Sequence, residues 1–565
     1  MKLFALVRTY WLLALIFFIA LALRTYSLSD FPVGLHGDEA SVGYNAYSIL
    51  KTHHDQDGQI SLSINQFGDF RPAGIHYLDV PFVAILGLNE TAVRLPSALF
   101  GALNVILLYF IINTLFRKKN LALLGAGLLA ILPWDINLSR ATSESVIASF
   151  FVALGILLFL IALEKKRRAL LVFGLSTVSF LISFLFYHPA RYFSIVFLPF
   201  LVLYTYFVDK KKLIVAIIVF VIVGLGLLFF LSVGKGTGRV EEVSLLSIPG
   251  GTVNLKHAMD EEGTANPLIT RFYDNKLIYF GRFFITFYSE HLSGDFLFVN
   301  NGNPIRYAVP YTGNLYLIQA PFLLLGFAFL LSGGLKSKKY LYLIPLAWLL
   351  IAPIPAGLTW EDLPNIQRSS LMIMPLVIIS VFGFYETFFL LKGKIRAIFT
   401  ILVFLALAYG FLYFCHNYFW RLKIEEPWFR GYATKQLVYY IEDLAKQNPQ
   451  TKFIMTAQAN NSFILYLFYS KFDPKTYQKL GSPHEADGLK FENLTYYNDS
   501  CPLRGTSTLN ETVVPNTVYV DKPDCPLPKN AEIINVIRTS DGLPAMNVIK
   551  LDVPQVETSK NQVNK

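Results

Sequence analysis

Two adjacent carboxylates, Asp38 and Glu39, stand in the sequence Leu35-His36-Gly37-Asp38-Glu39-Ala40, a short way past an apolar run over 4–23. Side by side they would supply a general base or the ligands of a metal ion. The plainer account is a helix start: Asp38 caps the run 39–50, and its charge suits a helix N-terminus. The two accounts are compatible, because a capping position also holds an Asp rigidly. Arginines recur in similar settings: Arg71 in Asp69-Phe70-Arg71-Pro72, Arg94 before Leu95-Pro96, Arg140 after Ser139, Arg191 three residues past His188, Arg306 before Tyr307, and Arg368 after Gln367. Singly they are ordinary. Arg94 reads as a snorkelling anchor, and Arg140 pairs with Glu144 four residues on. Together, Arg71, Arg94, Arg140, Arg191 and Arg368 bring planar cationic forks, suited to bidentate phosphate contact, to the same mouth as the carboxylate pair. That combination at a lipid interface fits a site for a lipid-linked phosphate carrying a group to transfer. A carboxylate base there would have its pKa raised by desolvation toward operating pH. No P-loop, GxGxxG, HExxH or CxxC motif occurs in the sequence, which argues against nucleotide-driven chemistry.

The elements that must hold these residues are membrane spans. Of 565 residues, 54% are hydrophobic and 16% charged, against roughly 25% charged in a soluble domain. Mean hydropathy is +0.46, which excludes an ordinary soluble enzyme and a disordered chain. Runs of about 20 apolar residues predict about eleven transmembrane helices: 4–23, 94–116, 121–134, 146–163, 170–187, 192–208, 213–231, 311–331, 340–358, 370–391 and 398–415. With this register the N-terminus and the short loops on its side hold eighteen Lys and Arg against Glu164, Asp209 and Glu386. The positive-inside rule then places the N-terminus in the cytoplasm and the C-terminus outside. The formal charge of +10 therefore records orientation in a plasma membrane, and no nucleic-acid partner is implied. The fold class is a mainly α-helical polytopic membrane protein with a small α/β extracytoplasmic domain. The transmembrane domain spans 1–418, with outer loops 24–93 and 232–310. A run over 75–88 containing Pro81 reads as an interfacial helix. The outer domain spans 419–552, with strands over 452–457 and 517–520 and a helix over 435–446, and a polar tail, 553–565, is expected to be disordered. Cys501 and Cys525 lie in that domain, and a disulfide between them suits an oxidising compartment.

At these residues the chain resembles the polytopic glycosyltransferases of the GT-C fold. The resemblance is to the bacterial branch related to protein O-mannosyltransferases (glycosyltransferase family 39) and to the lipid A aminoarabinose transferase. The resembling stretches, in order, are GLHGDEASVGYNAYSIL, FGDFRPAGIHYL, GLNETAVRLPSALFG, LPWDINLSRATSESV, FLFYHPARY, IRYAVPYTGNLYLIQAPFLLLG and NIQRSSLMIMP. They cover about residues 1–415. The resemblance implies a sugar donor on a polyprenyl phosphate and a protein, lipid or glycan acceptor at the outer face of the bilayer. It makes Asp38 the base, with inversion at the anomeric carbon, and Glu39 a partner that orients Asp38 or touches the acceptor. Glu144 matches a second acidic residue that contacts substrate. Arg71 stands where relatives have Lys-Pro-Pro, with Ala73 replacing the second Pro. Arg191 and Arg368 match basic residues that face the lipid phosphate. His36, Arg94, Arg140, His188 and Arg306 complete the candidate substrate-binding set. No cofactor is required, although some GT-C enzymes use a divalent cation, for which Asp38, Glu39 and Glu144 would be the ligands. A flippase of lipid-linked sugars and a non-catalytic envelope scaffold are the competing classes. A flippase would place ionisable residues near the bilayer midplane and on repeated, broken helices, whereas here they sit at the rim.

Overall fold

The structure, a computed structural model, describes residues 2–233, 242–261, 272–425, 430–457, 462–484, 488–491, 493–504 and 516–551. The predicted tail, 553–565, lies outside the described residues. Among those residues eight helices are long and apolar enough to cross a membrane, or nine if one bent pair is counted as a span. The bent pair, α5 (Lys119–Ile131) and α6 (Pro133–Ser139), turns by 55° at Leu132-Pro133, where Pro cannot continue the hydrogen-bond ladder. Arg24, at the end of α1 (Lys2–Thr25), braces this break. It binds Asp135 at 2.5 Å and donates to the carbonyls of Ala20, Leu129 and Ala130. The predicted spans 4–23 and 170–187 fall on α1 and on the shorter α8 (Ala169–Ser183). The predicted span 311–331 starts late: its helix is Gln319–Lys336. That helix crosses Ile373–Leu390 so closely that a Cβ on Gly326 would lie 2.0 Å from the Ile379 carbonyl oxygen. Only glycine permits such backbone approach between spans.

Loop 24–93 is ordered. It holds α2 (Gly37–Thr52), a hairpin of β1 (Ser63–Gln66) and β2 (Asp69–Pro72), and α3 (Gly74–Leu86). The hairpin turns on Phe67 and Gly68, both at positive φ, as a two-residue turn requires. Phe67, strained at φ 55°, packs edge-on against Phe463. The register pairs Ile64 with Arg71 and so fixes where Arg71 emerges. Next come α4 (Glu90–Phe116), α7 (Glu144–Glu164), α9 (His188–Val208) and α10 (Leu213–Val233).

The C-terminal unit is a six-stranded sheet in the order β4 (Lys490–Phe491), β5 (Leu494–Tyr497), β3 (Lys452–Thr456), β6 (Thr517–Asp521), β8 (Pro544–Leu551) and β7 (Ala531–Arg538). Its centre is β3 beside β6, which run parallel. Every residue of β6 is buried. A helix, Tyr432–Gln447, presents Leu437, Val438 and Ile441 to this core. That core is shared with Tyr44 and Ala46 of α2 and Val93 of α4, so the unit is packed onto the helix that carries the two carboxylates. Cys501 and Cys525 form a disulfide with a Cα–Cα distance of 5.5 Å. Their sequence separation is 24 residues. Cys525→Ser is expected to cost the unit about 2–4 kcal/mol, seen as a lower midpoint of its own unfolding transition by calorimetry.

Candidate active site

The first turn of α2 divides the two carboxylates. His36 is the N-cap: its ring Nδ1 accepts from the Glu39 amide, and its own amide donates to the Glu39 carboxylate. This capping box corrects the expectation that Asp38 is the cap. His36 is buried, and burial pushes its pKa down to about 4. It therefore serves as a neutral cap rather than a substrate contact. Adjacent helical residues diverge by about 100°, so Asp38 and Glu39 face different surroundings. Glu39 is completely buried. Its oxygens take Arg94 Nε at 2.9 Å and Nη2 at 3.1 Å, together with the Thr142 amide at 3.1 Å. Arg94 also donates to the carbonyls of Leu28, Pro32 and Gly34. Burial alone would raise the Glu39 pKa, but Arg94 outweighs it and holds the carboxyl well below the usual range. Glu39 as a catalytic group and Arg94 as a substrate ligand are thus corrected: the two form a buried brace that ties α4 to the loop before Asp38.

Asp38 faces the other way and keeps 17% of its side chain exposed. Its Oδ2 meets Arg71 Nη1 at 3.2 Å and Arg306 Nη2 at 3.4 Å. Arg71 in turn holds Asp69 at 3.1 Å. Burial pushes the Asp38 pKa up, yet Arg71 and then Arg306 overcome it, and the carboxyl lies well below the ordinary range. The expected upward shift is therefore reversed: at rest Asp38 is a firmly ionised carboxylate.

Arg71 and Arg306 also line a cavity of about 410 Å³. Glu144 at the start of α7, Tyr187, His188, Tyr192, Asp362, Gln367 and Arg368 share its wall. Arg368 is oriented by Thr359 Oγ1 at 3.0 Å and by the Glu361 carboxylate at 3.3 Å. Residues 243–246, with Leu245 and Leu246, supply an apolar side. A smaller void of about 10 Å³ is lined by Asp38, Gln66, His76 and Thr142, and by Arg71, Pro72 and Glu144 of the larger one.

Of the residues singled out in the sequence, Asp38, Arg71, Glu144, His188, Arg306 and Arg368 are brought together here. Arg140 is not. It is fully buried, donates to the carbonyls of Leu23, Tyr26 and Phe31, and lies over the rings of Tyr418 and Phe419. Its expected pairing with Glu144 fails because α6 ends before it and Glu144 opens a separate helix. Arg191 is corrected too: it lies behind the wall, bound to the Phe184 carbonyl and to His188 Nδ1 at 3.1 Å. The set Asp38, Glu39 and Glu144 does not assemble as cation ligands, since Glu39 is spent on Arg94. Among the described residues no group of three His, Cys, Asp or Glu stands close enough to hold a metal ion. Sequence reasoning missed Tyr187, Tyr192 and Gln367, which lie inside or beside recognised stretches yet carry no charge to mark them. It also missed Arg24, which ends the first apolar run, and Asp135, which stands 111 residues later, after Trp134.

The cavity can be set beside known proteins. Residues 71–233 match the family model described as dolichyl-phosphate-mannose-protein mannosyltransferase. Curated protein sequences gave no match. Among solved structures the chain resembles the Archaeoglobus fulgidus oligosaccharyltransferase tethered with an acceptor peptide containing the NVT sequon. The identity is 14% and the TM-score 0.53, over 82% of this chain and 64% of that one. The chain thus spans less than two thirds of the length of that enzyme. A second structure from the same organism, AglB in complex with an inhibitory peptide and a dolichol-phosphate, matches at 13% identity and TM-score 0.52. That match covers 91% of this chain and 70% of that one. ArnT from Cupriavidus metallidurans bound to undecaprenyl phosphate aligns over 96% of this chain and 98% of that one at 11% identity, with a TM-score of 0.48. The chain is a multi-pass membrane protein with the fold of these enzymes, the GT-C fold, and its residues 71–233 match the model of the dolichyl-phosphate-mannose-protein mannosyltransferase family.

Proposed function

We propose that this protein is a membrane glycosyltransferase that moves a sugar from a polyprenyl-phosphate-linked donor to an acceptor hydroxyl at the extracytoplasmic face. The observation that carries this reading is the sharing of Arg71 and Arg306 between Asp38 and the cavity. The donor phosphate seats against Arg71, Arg306 and Arg368, and its prenyl chain leaves along the apolar side. The acceptor oxygen attacks the anomeric carbon from the face opposite the phosphate and inverts it. Its proton passes to the Asp38 carboxylate. The anomeric C–O bond breaks with its electron pair leaving on the phosphate, where the guanidinium groups stabilise the growing charge. A phosphate that draws Arg71 and Arg306 partly off Asp38 also makes that carboxylate more basic, so the donor itself readies the base. No cofactor is required on this reading. Polar contacts to the sugar come from Glu144, His188 and Gln367.

The N-terminus lies in the cytoplasm and the C-terminus outside. The basic inner loops support this, as does the disulfide in the unit that packs against α2. The acceptor is a protein, lipid or glycan hydroxyl.

The test is to incubate the purified protein with polyprenyl-phosphate sugars and acceptor mixtures, following both sugar transfer and released polyprenyl phosphate. Equal release of phosphate and formation of glycosidic product is expected. No release with any donor would contradict the proposal.

The pH profile follows from the ion contacts. Asp38 faces Arg71 from β2, Arg306, His36 on its own turn and Glu144 from α7. With its pKa depressed, Asp38 stays ionised as pH falls until below the ordinary carboxylate range, and the acid limb of kcat/KM for the free enzyme lies there. In Arg71→Gln the largest opposing charge is gone and burial pushes the pKa up. The acid limb then moves toward neutral, as measured by initial rates against pH at low donor concentration.

A further inference from the structure

The C-terminal unit reaches the site through three residues, Arg430-Gly431-Tyr432. The Gly431 amide donates to the Leu35 carbonyl at 2.7 Å, three residues before Asp38. Arg430, only 7% exposed, donates from Nη2 to the Arg306 carbonyl at 2.5 Å. One short strap therefore grips both the loop that leads into the base and the turn that presents one of its two guanidinium partners. The fit is close. Gly34 has φ of +70°, and a Cβ there would lie 2.8 Å from the Tyr432 amide nitrogen. The rest of the unit reinforces the grip. Lys435 Nζ meets the Glu90 carboxylate at 2.6 Å, at the start of the helix that carries Arg94. The Tyr44 hydroxyl donates to the Phe472 carbonyl at 3.2 Å, and Gln478 reaches Ser48, Thr52 and the Asp55 carbonyl. α2 is thus held along its length from the C-terminal side.

We propose that Arg430 is a positioning residue for Asp38, acting through Arg306, and that the C-terminal unit sets the geometry of the reacting carboxylate. The inference rests on the glycosyltransferase reading for its kinetic consequence, but not for its structural one. Arg430 is not among the residues that line the cavity of about 410 Å³. It fixes the peptide at 306, and with it the direction from which the Arg306 guanidinium approaches Asp38 and the donor phosphate.

The test compares Arg430→Gln, Arg430→Lys and Gly34→Ala in the full chain, by transfer kinetics with a polyprenyl-phosphate sugar and by amide hydrogen exchange. Displacing a reacting group by about 1 Å costs about 10²-fold in rate. A fall in kcat approaching that size is expected for Arg430→Gln, with KM for the donor unchanged and most activity kept by Arg430→Lys. Exchange should quicken at residues 305–308 and 35–40 in Arg430→Gln and Gly34→Ala, while the spans keep the parental pattern. Unchanged kcat with unchanged exchange at 305–308 would overturn the proposal. So would a raised KM at constant kcat, which marks a substrate contact, or loss of protection throughout the chain, which marks a merely structural role. If the parent transfers no sugar, the glycosyltransferase reading falls, and the exchange pattern alone decides whether the strap couples residue 306 to the Asp38 loop.

Discussion

In the Asp38→Asn protein kcat for sugar transfer falls by about 10²–10⁴-fold, the range ascribed to a positioned general base, while KM for the donor does not rise. Asn has the shape of Asp but takes no proton from the acceptor. The helix start survives, because the capping box and the Glu39–Arg94 pair that form it do not involve Asp38. The substitution also removes the counter-charge of Arg71 and Arg306. Both guanidinium groups then lose one competitor for the donor phosphate, although Arg71 keeps Asp69, and donor binding holds or tightens as turnover collapses. Steady-state kinetics with polyprenyl-phosphate sugar, beside a thermal unfolding curve matching the parent, check both halves. A rise in KM with kcat preserved would assign Asp38 to binding.

Glu39→Gln and Arg94→Gln act on stability instead. Each leaves an uncompensated charge at a site with no exposed surface, and breaking such a pair costs about 3–5 kcal/mol. Arg94→Gln also strips donors from the carbonyls of Leu28, Pro32 and Gly34, so it is the worse of the two. Both are expected to reduce the yield of folded protein and to lower the unfolding midpoint in detergent. The double variant Glu39→Met/Arg94→Leu recovers part of the loss, because it leaves no buried charge behind. A midpoint equal to the parent in either single variant would contradict the brace.

The spans were legible because hydrophobic runs and basic loops are collective signals. Each of the eleven expected segments overlaps a helix, but among the described residues eight helices, or nine with the bent pair, are long and apolar enough to span. Segment 170–187 runs past the end of its helix at Ser183, and segment 311–331 begins ahead of its helix start at Gln319. The site was legible in part. Charge marks the residues that matter at a lipid interface, but it does not say which way they point. Asp38 and Glu39 differ by one helical step, and that step sends one to the cavity and the other to Arg94. Arg140 and Arg191 carry the same fork as Arg71, yet both are spent on backbone carbonyls at helix ends and in the segments that follow them, a demand that only the folded path of the chain creates. The sign of the Asp38 shift was misjudged for the same reason: burial was readable, whereas the approach of Arg71 from the β-hairpin and then of Arg306 from a distant loop was not. Arg430 lies in a region with no motif, so nothing short of the fold could bring it to residue 306.

The most direct test of the central claim uses proteoliposomes with a polyprenyl-phosphate sugar in the bilayer and a hydroxyl acceptor in the lumen or outside, comparing parent and Asp38→Asn. The account predicts transfer to acceptor only on the face that carries the C-terminal unit, with inverted anomeric configuration, and its near loss in Asp38→Asn. Transfer that persists in Asp38→Asn, or movement of the lipid-linked sugar across the bilayer without any glycosidic product, would contradict it.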